Sequence, residues 1–183
     1  MLAYYLEDIQ REFRSLKRLA EKAMAQVSDE DFFATLDPNS NSIAIIVKHI
    51  SGNLRSRWTD FLTSDGEKPD RKRDTEFEGR PEDTRASLLG RWEAGWQVLF
   101  VAISALAPED LSREVTIRGQ PHSVMRAIHR QMTHYAEHIG QIVMLAKHWA
   151  GDRWQTLSIP RGQSEQFARQ VPRTPKPERS PSR

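Results

Sequence analysis

The chain has 183 residues and no cysteine. That excludes disulfide scaffolds, thiolate zinc sites and cysteine nucleophiles. Glycine is also sparse, at 9 residues, and none of them builds a phosphate-cradling loop. No apolar run approaches the ~20 residues that span a bilayer, so no membrane contact is expected. The N-terminal run MLAYYLEDIQREF lacks a basic stretch and carries acids early. No signal peptide is therefore expected, and the cytoplasm is the expected location. No internal repeat is found.

Positive charge is scarce where a nucleic-acid-binding domain would need it. The net charge is +2, yet Arg161–Arg183 holds six basic residues against two acids, a net of +4, which leaves −2 on residues 1–160. Specific nucleic-acid binding is not expected of the folded part. Pro172, Pro175, Pro177 and Pro181 lie among Arg, Lys and Ser, a composition that does not bury a core. The sequence thus divides into one domain, residues 1–160, and a basic Pro-rich tail, residues 161–183, expected to be largely disordered.

What the domain does contain is helical periodicity. Leu2, Leu6, Ile9, Phe13, Leu16, Ala20, Ala23 and Val27 recur at steps of three and four. A second stripe runs through Ile43, Val47, Ile50, Leu54, Trp58 and Phe61, in a helix from about Ser42 to Leu62. A third, on Leu88, Trp92, Trp96, Leu99 and Ile103, spans about Glu82 to Leu106. A fourth, on Val124, Ile128, Tyr135, Ile139, Ile142, Ala146 and Trp149, spans about Ser123 to Trp149, with Gly151 as its stop. Between the second and third helices, residues 63–81 read as a long polar crossover loop. Glu114–Ser123 reads as a short extended excursion turning at Arg118-Gly119-Gln120. Four amphipathic helices in one domain predict an all-α four-helix bundle.

Bundles place their sites between facing helices. His134 and His138 stand four apart, on one side of adjacent turns, the spacing with which a helix grips one metal ion. The same spacing suits two core histidines bonded to neighbours. His49, on the flank of the second helix's stripe, offers a third imidazole. A three-histidine site binds Zn²⁺, Ni²⁺, Fe²⁺ or Mn²⁺ and keeps positions open for water or substrate. His122, His129 and His148 fall on the outer face. The run His134 to His138 also matches an H-x-x-E-H peptidase pattern. Glu137, however, points about 100° away from His138, as a solvated surface acid does. Arg57, near the inner stripe, is a candidate anchor for an anionic substrate or else a structural ion pair. Asn53, one turn after His49, is a candidate partner of the site or else a helix–helix hydrogen bond. Trp58, Trp92 and Trp96 read as core.

Two strings, IAIIVKHISGNL around His49 and QMTHYAEHIGQI around His134 and His138, resemble the DinB superfamily of bacterial proteins. DPNSNSIA, RSRWTDFLTSDGEKP and LSIPRGQSE resemble one uncharacterised branch of it. The resemblance covers roughly residues 1–167. It implies a DinB-like bundle in up-down-down-up order and a divalent metal held by His49, His134 and His138, Zn²⁺ or Ni²⁺ before Mn²⁺ or Fe²⁺. It also implies homodimers. Relatives of this kind include S-transferases and a maleylpyruvate isomerase that use bacillithiol or mycothiol, and others are described as metal-dependent hydrolases. The expected function is a metal-dependent enzyme, either a hydrolase or a transferase using a low-molecular-weight thiol, acting on a small-molecule substrate. The alternative is a metal-stabilised, dimeric binding or structural bundle without catalysis.

Overall fold

The structure is a computed structural model that describes residues 2–170. The Pro-rich end of the tail, for which disorder is expected, lies outside the described residues. Four long helices carry the fold: α1 (Leu2–Met24), α3 (Ile43–Trp58), α4 (Arg85–Ser104) and α5 (Val124–Ala150). Each buries the stripe that its apolar periodicity predicts, as with Leu6, Ile9, Phe13, Ala20 and Ala23 on α1. Among the described residues the fold is therefore all-helical apart from one small hairpin. Among the described residues, no helix is long and apolar enough to cross a membrane.

Two short helices and one helix end depart from the expected organisation. Ser28 does not simply end the first helix; it caps a new one, α2 (Asp29–Phe33), because its hydroxyl accepts from the Asp31 amide and Asp31 accepts in return. The second long helix stops at Trp58 rather than Leu62, where Thr59 turns to extended backbone and Asp60 adopts φ 47°. Within the expected tail, Ser164–Gln170 forms α6, supported by an Arg169–Glu165 pair one turn apart, with no residue buried. Trp154 and Leu157 pack on the core, while Ile159 is exposed.

Paired contacts at the helix ends fix the direction of each helix. Tyr5 bonds His129 at one end, and Gln26 bonds the Gln155 backbone at the other, so α1 and α5 run the same way. Arg85, opening α4, donates to the Met24 and Val27 carbonyls at the end of α1. Lys48, early in α3, pairs with Asp83, just before α4, at 2.6 Å. Further along, Gly95 sits against Leu54. The helices α3 and α4 are thus parallel to each other and antiparallel to α1 and α5. A parallel pair cannot be joined by a tight turn. The chain must return the length of α3, about 24 Å for 16 residues, which is why the crossover is long.

That crossover covers the side of α3 away from the core. Lys48, Ser51, Ser56 and Arg57 are consequently buried beside the apolar stripe. It is not irregular throughout, for Arg73–Phe77 forms a turn of 3₁₀ helix. Its start is pinned by Asp65, whose carboxylate accepts from the amides of Glu67, Arg118 and Gly119. Burial alone would raise the Asp65 carboxyl, but these amides outweigh it and hold it at about 2. Arg118 and Gly119 form the two-residue turn of the β1 (Glu114–Ile117) and β2 (Gln120–Ser123) hairpin, both at positive φ. Such turns demand φ > 0 at both positions. Asp65 binds the two strained amides and so orients Arg118.

In the core, Phe13, Trp58, Trp96 and Tyr135 meet with ring centroids 5.7–6.3 Å apart. Trp58 and Trp96 are buried, as is Trp92, so all three are core residues.

Candidate metal centre

Three histidines from two helices converge. Ser42 caps α3 and Ser123 caps α5, each accepting an amide three residues on. The start of both helices is thereby set. His49 on α3 is buried, and His134 and His138 on α5 are half-buried. Their ring centroids lie 5.3, 5.0 and 4.7 Å apart. One nitrogen from each lies within 4.8 Å of the others, close enough for a shared metal ion.

The geometry tests whether that donor set fits a cation. His49 Nδ1–H donates to Glu76 Oε2 at 2.9 Å, which leaves Nε2 as a lone pair. His138 Nδ1–H donates to Gln141 Oε1 at 3.1 Å, leaving its Nε2 likewise free. His49 Nε2 and His134 Nε2 stand 3.2 Å apart. Two nitrogens each ~2.05 Å from a common ion lie roughly 2.9 to 3.3 Å apart, between octahedral and tetrahedral angles. The spacing suits co-ligands of one ion and equally suits an N–H···N hydrogen bond between the two rings. Burial, then the neighbouring His138 and His49, push the His134 imidazole down to about 3. Burial also lowers His138, against the opposing Gln141 bond. Neutral imidazoles are the metal-binding form. The residues fit a divalent ion, whose identity the donor set leaves among several first-row metals.

Behind His49 lies a relay that periodicity does not reveal. Arg71 grips Glu76 with two bonds of 2.9 Å, and Glu76 accepts from His49. Burial alone would raise the Glu76 carboxyl, but the His49 and Arg71 bonds hold it below the usual carboxylate range. A carboxylate behind a ligating histidine fixes its tautomer and raises its basicity. Glu76 reaches this place because residue 52 is glycine. A Cβ there would lie 2.2 Å from Glu76 Oε1. The only advance signal of this relay is the crossover's length, since long loops are usually functional or disordered.

The other candidates separate. Asn53 makes the helix–helix bond: it accepts from the Tyr135 hydroxyl at 3.0 Å, which accepts from Trp58 Nε1 at 3.1 Å. Arg57 is spent on structure, donating to the Gly66 carbonyl and pairing with Glu67 at 2.9 Å. Glu137 is exposed at the rim. His129 and His148 are exposed and His122 half-buried, all outside the histidine group. Beside the group opens a cavity of about 460 Å³, lined by His49, Asn53, Arg57 and His134 among others.

A helical protein that gathers three imidazoles, two of them lining an open cavity, belongs, by class, to the candidate metal-binding bundles. The chain itself is a member of the family described as Protein of unknown function (DUF1572), whose profile matches residues 1–163. No curated protein and no solved structure matches it.

Proposed function

We propose that this protein is a metal-dependent enzyme of the DinB type, in which His49, His134 and His138 hold one divalent cation. The observation that carries the reading is the convergence of three nitrogen donors within 4.8 Å. Two further facts support it. The α1 and α5 pair opposes the α3 and α4 pair, which is the up-down-down-up order that the resemblance implies. The ligand set among the described residues numbers three and borders a cavity, as in sites that keep a position for water or substrate.

A divalent ion at this position supplies Lewis acidity, which makes a nucleophile of water or of a small-molecule thiol near neutral pH. The chain has no cysteine, so a thiol nucleophile must come from outside. Its own residues do the positioning. Glu76 and Arg71 hold His49, Gln141 orients His138, and Asn53 locks α3 to α5 through Tyr135. Hydrolysis and thiol transfer are the two reaction classes this arrangement serves. The resemblance adds a homodimer, which light scattering on the full chain checks.

The test is metal content by mass spectrometry on untagged protein, wild type beside His138→Ala. The expected result is about one ion per chain in the wild type and none in the variant. No ion after incubation with Zn²⁺, Ni²⁺ and Mn²⁺ would return the three histidines to packing roles.

A further inference from the structure

The cavity beside the histidines is walled by five guanidinium groups, those of Arg57, Arg71, Arg73, Arg118 and Arg130, and by one carboxylate, Glu137. Two more carboxylates stand behind the wall. Glu67 pairs with Arg57, Arg71 and Arg118, and Glu76 pairs with Arg71. With Asp74, which pairs with Arg73, five cations face four anions, an excess of one positive charge around a small space. The arginines divide by their engagement. Arg57 and Arg71 are held in place by these carboxylates and buried. Arg73 lies 5.0 Å over the Phe77 ring, and its ion pair is a 3.7 Å contact with the exposed Asp74. Arg130 makes no ion pair and no side-chain hydrogen bond among the described residues. It stands one turn before His134 on α5, so its head and that imidazole share a helix face. Arg73 stands three residues before Glu76, on the turn that carries the His49 relay. A second feature marks the same space. Arg57 Nε, a buried N–H on a lining residue, has no hydrogen-bond partner among the described residues. A buried N–H left unpaired by the chain calls for an acceptor, which an oxyanion or an ordered water supplies.

We propose that this cavity is an anion site: it takes a small molecule bearing a carboxylate or phosphate group, which docks on Arg130 and Arg73 while the rest of the molecule lies along the His49 and His134 wall. Guanidinium is the side chain whose planar fork matches both oxyanions. A cavity of about 460 Å³ admits a ligand of metabolite size. This names the substrate class of the proposed metal centre and rests on reading the cavity as its open side, but the arginines do not depend on the ion.

The test is calorimetric titration of the untagged full chain with phenylphosphonate, with benzoate, and with the uncharged dimethyl phenylphosphonate. Each titration is run before and after EDTA treatment. Binding of at least one anion in both preparations is expected, with no binding of the diester. Arg130→Gln and Arg73→Gln, both at exposed positions that leave the core untouched, should each weaken it roughly tenfold. Benzoate against phenylphosphonate tells a carboxylate substrate from a phosphate one. Equal binding of diester and anion, or wild-type affinity in both variants, overturns the proposal. So does binding that EDTA abolishes, since the ion would then be the anchor. A chain that holds no metal yet binds the anion through these arginines keeps this proposal and sinks the metal reading instead.

Discussion

The two walls of the histidine site are built from different kinds of chain. One wall is α5, a 27-residue helix whose apolar stripe, cap and stop all point to the same structure. The other is α3 together with the crossover that covers it, where Glu76 and Arg71 sit on a polar segment with no periodicity. The first wall places ligands by helical pitch. The second places His49 by pitch as well, but the groups that orient it are set by ion pairs and one glycine. The difference teaches that the ligands and their supports are specified by separate rules, and that they should fail separately.

The largest effect is expected from His134→Ala, which removes a donor from the helical wall. The bound ion should disappear from the wild-type stoichiometry of about one, as read by mass spectrometry, while circular dichroism stays helical. On the crossover wall, Glu76→Gln should keep the site but weaken metal affinity by about 10–100-fold, the usual cost of losing a ligand's orienting partner. Competition with a chromogenic chelator measures it, and an unchanged affinity would show that the relay is only structural.

Gly52→Ala probes the contact between the walls. Alanine in a helix interior gains roughly 0.5–1 kcal/mol over glycine, yet here its Cβ would displace Glu76. The single variant should bind metal less tightly than the wild type. In a Glu76→Ala background the same substitution should become neutral for metal binding and stabilising in a urea melt. Equal effects in both backgrounds would refute the steric coupling.

Tyr135→Phe acts on the core beneath both walls. It leaves the buried Trp58 N–H and Asn53 oxygen without partners, and a loss of about 1–3 kcal/mol is expected in denaturant unfolding. A separate test is acid dependence in metal-free protein. His134 is depressed from 6.5 to about 3, so the unfolded chain takes up its proton first and stability falls as pH drops through that window. Asp65 is depressed from 3.8 to about 2, so its contribution is present above 3.8 and is lost toward pH 2. Urea melts of His134→Phe and Asp65→Asn should flatten the first and second window respectively.

The sequence and the structure part company along the same line. The stripes, the hairpin turn at Arg118-Gly119 and the stop at Gly151 (φ 54°) were legible because each follows from pitch or backbone sterics within a few residues. The capping box at Ser28 and Asp31 is equally local, since a Ser with an acid three residues on satisfies two amides within one turn. Arg57 was ambiguous: residue type and position suit an anion anchor, and only the arrival of Glu67 and the Gly66 carbonyl decided for a structural pair. Arg130, by contrast, offered no signal, because an arginine on the edge of a helix reads as a solvated residue until a cavity is seen beside it.

By itself, then, the sequence determined the helices, the faces they bury and the i, i+4 pairing of His134 with His138, because those depend on contacts within one or two turns of chain. Only the tertiary structure decided that His49 meets that pair from a different helix, that Glu76 crosses over Gly52 to orient it, and that five arginines border one cavity. Those arrangements join residues dozens of positions apart. They are settled by which surfaces the long crossover must cover when two consecutive helices run in the same direction.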